Sequence, residues 1–236
     1  MGIGPLAAVL LDVRMRRARS KGHDGSKSKS EARSYSLPEY QAAAVNASTY
    51  VVPLVLCWKV VAKHGSPSLQ QLALIPISIV WNVGVCMSLC LHRYFAHGAF
   101  TTSRPFQFVL GFVGCCAYQG SPLWWASKHR RHHAHCEDPD DPHAWSQTNL
   151  IYAWFGWTMH PKEMSVDKQY VSGLLRFPEL RLLDTWFLAP CVLTGIVWYH
   201  AFGALWMVCG CIIPMYMSRV LTLFVSLRGH SYHHQH

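Results

Sequence analysis

The chain has 236 residues, of which 51% are apolar and 14% charged. Soluble domains carry about 25% charged residues, so the composition argues against an ordinary water-soluble globule. The net charge of +9 does not mark a nucleic-acid binder, because eight of the 21 basic residues lie between Arg14 and Arg33. The basicity belongs mostly to the amino-terminal tail, and no nucleic-acid partner is expected.

Residues 1–40 form a predicted disordered tail rich in Arg, Lys and Ser. An organelle transit peptide shares that composition, but Asp12, Asp24 and Glu31 weigh against one, since such peptides are poor in acids. Membrane spans are predicted at 42–62, 72–91, 185–204 and 205–227. Each is close to the 20 or so apolar residues that cross a hydrocarbon core of about 30 Å. Lys59 lies near enough to the end of the first span to snorkel. Arg219 interrupts the fourth, and such a charge either faces the bundle interior or water, or snorkels to the surface. The 92–183 segment carries nine basic residues, whereas the turn at 200–203 has no Lys or Arg. By the positive-inside rule the tail, the 92–183 segment and the carboxyl end share the cytosolic (or stromal) side. Residues 105–127 are uncharged and long enough to cross. Crossing would put His92 and His129 on opposite faces, so a surface-lying or re-entrant path is expected, and the same holds for 144–161. The expected fold is an all-α membrane protein with four transmembrane helices and a cytosolic helical cap.

The nine cysteines include no Cys-x-x-Cys pair and are scattered through apolar runs. They fit apolar packing and not a disulfide framework.

Fifteen histidines are present, and eight of them fall into three clusters. These are His92 and His97 (HxxxxH), His129, His132 and His133 (HxxHH), and His230, His233 and His234 (HxxHH). On a helix, offsets of three and four residues share one face. Imidazole suits iron, zinc, copper or nickel. Eight nitrogens exceed the four ligands of one zinc and suit two metals with room for a further ligand. His23, His64 and His200 stand alone and are assigned to structure, and His135 is left outside the ligand set. Open positions beside nitrogen-ligated iron are where O2 is activated. At a membrane face, such a site implies an apolar substrate.

The run from His92 to His143 resembles the membrane-bound fatty acyl desaturases of the stearoyl-CoA Δ9 type. The likeness rests on HRYFAH at 92–97, Ala117-Tyr118-Gln119, WASKHRRHH at 125–133 and Asp141-Pro142-His143, and it extends over residues 41–234. The resemblance implies a histidine-ligated di-iron centre that uses O2, reduced to water, and two electrons to place a cis double bond in an acyl-CoA or acyl-lipid chain. It implies a cytochrome b5-type or ferredoxin electron donor and contact with membrane lipid. The expected location is the endoplasmic reticulum membrane, or alternatively a plastid membrane. Carried over residue by residue, the iron ligands are His92, His97, His129, His132 and His133. Gln119 and Trp125 match positions that line the bend of the acyl tunnel. Asp141 and His143 are expected to be structural. Lys128, Arg130, Arg131 and Arg104 offer cations for a CoA phosphate or an anionic headgroup. A lipid hydroxylase and an inactive desaturase-like membrane protein are the alternatives on the same scaffold.

The carboxyl end departs from the family pattern. Ser226 to Gly229 run straight into His230-Ser231-Tyr232-His233-His234, where the family has a longer connection and an asparagine in its third box. In one alignment His230, His233 and His234 are the third box. In the other, Ser226 and His230 mark the end of span four and the box is missing. The first matches HxxHH in full. The expectation is a domain whose carboxyl-terminal part is incomplete.

Overall fold

The structure, a computed structural model, describes residues 37–136, 138, 141 and 149–222. Among these residues every regular element is a helix. Helix α1, Leu37–His64, starts inside the predicted tail, with Glu39 in its first turn and Lys63 and His64 in its last. Those charges complement the helix dipole. Helix α2, Leu69–Trp81, opens on a capping box: the Ser68 N–H donates to Gln71 Oε1 at 2.8 Å, and the Gln71 N–H to Ser68 Oγ at 3.3 Å. It runs on without a break as a π-helix over Asn82–Ala96. Helices α3 (Arg104–Cys115) and α4 (Pro122–Ala134) follow, then α5 (Leu150–Trp154) and three short 3₁₀ turns. Helices α6 (Ser172–Leu175), α7 (Pro178–Thr185) and α8 (Ala189–Phe202) lead to α9, Ala204–Thr222.

Among the described residues three helices are long and apolar enough to cross a membrane: Glu39–His64, Leu69–Ala96 and Ala204–Thr222. A fourth is reached if α7 and α8, bent by 71° at their junction, count as one span. This differs from the continuous span predicted at 185–204. Pro190 sits in the first turn of α8, where its missing N–H costs nothing, and the 14-residue helix extends about 21 Å. Gly203, at φ +91°, makes the one-residue turn into α9. Large apolar side chains on α1 (Val51, Val52, Trp58) and α8 (Val192, Val197) point outward, as a lipid-facing surface requires.

The uncharged stretch at 105–127 does not form one helix. It breaks between α3 and α4, where Tyr118 has φ +61° and Gly120 φ +94°. A Cβ at Gly120 would come within 2.6 Å of the Trp124 ring, so glycine is required there on two counts. Past the break, α4 packs back against the end of the π-helix and α7. The core between them holds Phe95, Leu110, Leu123, Ala126, Val171, Leu180 and Leu183. The fold thereby brings the first two histidine clusters together.

Candidate metal centre and adjoining cavity

His92 and His97 lie at the end of the π-helix. Five residues of an α-helix advance by about 500°, which would leave the two side chains about 140° apart. Here the His97 N–H donates to the His92 carbonyl at 3.0 Å, a five-residue step that brings the pair into register. Their Nε2 atoms are 3.1 Å apart.

Helix α4 supplies the facing imidazoles. Ser121 caps it, its hydroxyl accepting the Trp124 N–H at 3.0 Å and donating to Asp184 Oδ1 of α7. His129 Nε2 lies 3.0 Å from His97 Nε2 and 3.1 Å from His133 Nε2. Nitrogens about 2.1 Å from a common ion are about 3.0 Å apart at a right angle and about 3.4 Å apart in a tetrahedron. The donor set therefore fits a nitrogen-ligated divalent metal, and His92, His97 and His129 offer ligand atoms all within 4.8 Å of one another. Burial, and then the neighbouring imidazoles, push the His129 pKa far down. Burial, and then Arg130, lower that of His97. Both shifts favour the neutral ring, which is the form that binds metal.

Arg130 holds the two helices in register. Its guanidinium donates to the carbonyls of Phe95 at 2.7 Å and Ala96 and Tyr170 at 2.8 Å. Carbonyls at a helix end lack partners within the helix, so this one side chain caps the π-helix and ties it to α4. Lys128 and Arg131, also on α4, are buried. Lys128 pairs with Glu163 at 3.0 Å and Asp167 at 3.1 Å. Arg131 pairs with Asp167 at 2.8 Å and also with Glu163. Burial works against the Glu163 carboxylate, but Lys128 and Arg131 overcome it and hold its pKa below the usual range. Arg104 bonds Glu179 at the surface. All four cations offered to a phosphate have partners within the protein, carboxylates or carbonyls distant in sequence, and Arg104 remains exposed.

The five expected ligands in the described region do not behave alike. His92, His97, His129 and His133 converge. His132 Nδ1 instead meets Asp141 Oδ2 at 2.9 Å, and its ring centroid is 6.4 Å from that of His129. His132, Cys136 and Asp141 form a second group with ligand atoms within 4.8 Å. Asp141 is buried, and a carboxylate on one imidazole nitrogen is a common way to orient a metal-binding histidine. His135 Nε2 lies 3.0 Å from the Tyr170 hydroxyl. His143, His230, His233 and His234 lie outside the described residues.

Trp125 stacks on His129 with centroids 4.7 Å apart, and its Nε1–H donates to Gln119 Oε1 at 3.3 Å. Gln119 Nε2 donates in turn to Thr222 Oγ1. Both residues line a cavity of about 350 Å³ that reaches the His129 ring and is walled by Trp124, Trp157, Phe187 and Arg219. Thr222 was not legible beforehand, since threonine is common in apolar helices and bonds the carbonyl a turn below. Arg219 did signal itself, as the lone charge of its span.

The sequence profile of the fatty acid desaturase family matches residues 69–236. The chain belongs to the fatty acid desaturase family. Among similar members is the "probable lipid desaturase", chloroplastic, of Arabidopsis thaliana, 30% identical over 150 residues, which cover 63% of this chain and 42% of that protein. The sn-2 palmitoyl-lipid 9-desaturase of Nostoc sp. (strain 36) is 32% identical over 45% of this chain and 38% of its own. Acyl-CoA desaturase 1 of Saccharomyces cerevisiae is 26% identical over 52% and 26%. This desaturase-family chain thus spans about two fifths of the length of the first two relatives.

Proposed function

We propose that the protein is an O2-dependent fatty acyl desaturase that introduces a cis double bond, at Δ9, into a saturated acyl-CoA or acyl-lipid chain. The observation that carries this reading is the convergence of His92, His97, His129 and His133 beside a cavity bounded by Trp125 and Gln119. Apolar helices that can hold the site at a bilayer support it.

In this reading two iron ions would be held by His92, His97, His129, His132 and His133, with His230, His233 and His234 as the third box. Bound iron supplies the O2 activation that removes two hydrogens, with electrons from a cytochrome b5-type or ferredoxin donor. The protein's own groups do the rest. The Trp125–Gln119–Thr222 chain of bonds forms a rigid wall next to His129, against which an acyl chain bends. Trp124 and Trp157, stacked with centroids 5.6 Å apart, keep water from that wall. Asp141 orients His132, and Arg130 keeps His92 and His97 opposite His129. The histidine cap lies on the cytosolic side of the endoplasmic reticulum membrane, or on the corresponding side of a plastid membrane.

The test is fatty acid profiling of a desaturase-deficient yeast expressing the chain, with His129→Ala beside it. New monounsaturated acids are expected with the unaltered chain and none with the variant, and the double-bond position reads out Δ9. Hydroxy acids in their place would make the protein a hydroxylase. An unchanged profile, with the protein present in membranes at two irons per chain, would end the catalytic reading.

A further inference from the structure

A second pocket, of about 330 Å³ and walled mostly by apolar side chains, lies among α1, α8 and α9 and opens toward the lipid-facing surface, where Val52 and Val192 are exposed. The two cavities follow one another along the same helices. On α1, Val45 and Asn46 line the first, while Val52 and Leu56 line the second. On α9, Arg219 borders the first, and Met215, one turn back, borders the second. At the break between α3 and α4, Gln119 faces the first and Tyr118 the second.

Arg219 and Asn46 of the first and Tyr118 of the second belong to one layer of touching side chains. Arg219 is only 4% exposed. Its guanidinium donates to Thr49 Oγ1 and, at 3.1 Å, to Asn46 Oδ1. It sits 3.8 Å above the Tyr50 ring and 5.6 Å from that of Tyr118. The Tyr118 hydroxyl donates to the Thr49 carbonyl at 3.0 Å. Among the described residues no carboxylate pairs with Arg219. A cation at this depth is costly to move away from its partners, so the layer is stiff. The left-handed backbone of Tyr118 is strain of the kind that persists only where the surroundings over-determine it.

We propose that Arg219, clamped by Asn46, Thr49, Tyr50 and Tyr118, is a chain-length stop. It ends the reactive cavity with a polar wall and bars the acyl tail from the apolar cavity beyond. This rests on the acyl reading above and adds a substrate class to it: chains whose methyl end stops at Arg219. A longer tail would have to displace a desolvated guanidinium from its oxygens.

The test uses the purified chain in detergent and saturated fatty acids of increasing length. They compete with a brominated fatty acid that quenches Trp124, Trp125 and Trp157, which line the first cavity. Affinity is expected to rise about fourfold per added methylene and then level off. In Arg219→Ala the rise continues over several further methylenes. Gly195 borders the second cavity, and a Cβ there meets nothing within 4 Å. Gly195→Leu therefore leaves the limit unchanged on its own and restores the original limit when combined with Arg219→Ala. The same limit with and without Arg219 overturns the stop. So does a limit shortened by Gly195→Leu alone, an outcome that decides the matter even if Arg219→Ala does not fold. Binding that never depends on chain length overturns the acyl reading itself.

Discussion

Two places in this molecule bury positive charge, and they do it differently. On α4, Lys128 and Arg131 share Glu163 and Asp167, so both cations touch both carboxylates. In the helical bundle, Arg219 is held by the neutral oxygens of Asn46 and Thr49 and by the face of Tyr50. The first arrangement balances charge locally and serves as an anchor between α4 and the 3₁₀ turns that carry the acids. The second leaves a net positive charge at the wall of a cavity. Lys128 and Arg219 both line the first cavity, so one buried cation there is balanced by carboxylates and the other by neutral oxygens and a ring face.

The largest expected effect comes from breaking the anchor. Glu163→Ala leaves two buried cations sharing one carboxylate and should cost about 3–5 kcal/mol, measured as a lower thermal unfolding midpoint. Acid should weaken the same anchor. The folded pKa of Glu163 lies below its ordinary value of about 4.3, so its contribution is complete above that value. It disappears as pH falls through the lower folded value, and Glu163→Gln should flatten that part of the stability profile. Arg219→Ala should cost less, about 1–3 kcal/mol, because it strands neutral oxygens and no opposite charge. A loss as large as that of Glu163→Ala would mean that Arg219 has a structural role like that of Arg131. The smallest effect belongs to Arg104, whose guanidinium is exposed beside Glu179. Arg104→Ala should leave the unfolding midpoint in place at physiological salt, where such pairs are screened.

Much of the architecture follows from local chemistry. Apolar runs specify the helices at 42–62 and 72–91 as long enough to span, though the run at 185–204 is bent, the expected exclusion of a crossing at 105–127 follows from the need to keep two histidine clusters on one face, and HxxHH specifies one face of α4. These features depend on residues close in the chain, so composition and period reveal them. Other features depend on which distant groups meet. The π-winding that aligns His92 with His97 comes from the packing at the helix end and the Arg130 cap, and no α-helical period contains it. His132 turns to Asp141 only because the chain after α4 folds back. Lys128 and Arg131 find Glu163 and Asp167 more than thirty residues away, so their charge, visible in the sequence, said nothing about their partners. For Arg219 the sequence allowed both the surface and the interior. By itself it determined that this is a helical, membrane-suited chain with histidine clusters meant to meet. Only the tertiary structure decided which nitrogens converge and where Arg219 sits, because those outcomes are set by packing between helices and not by the residues within one.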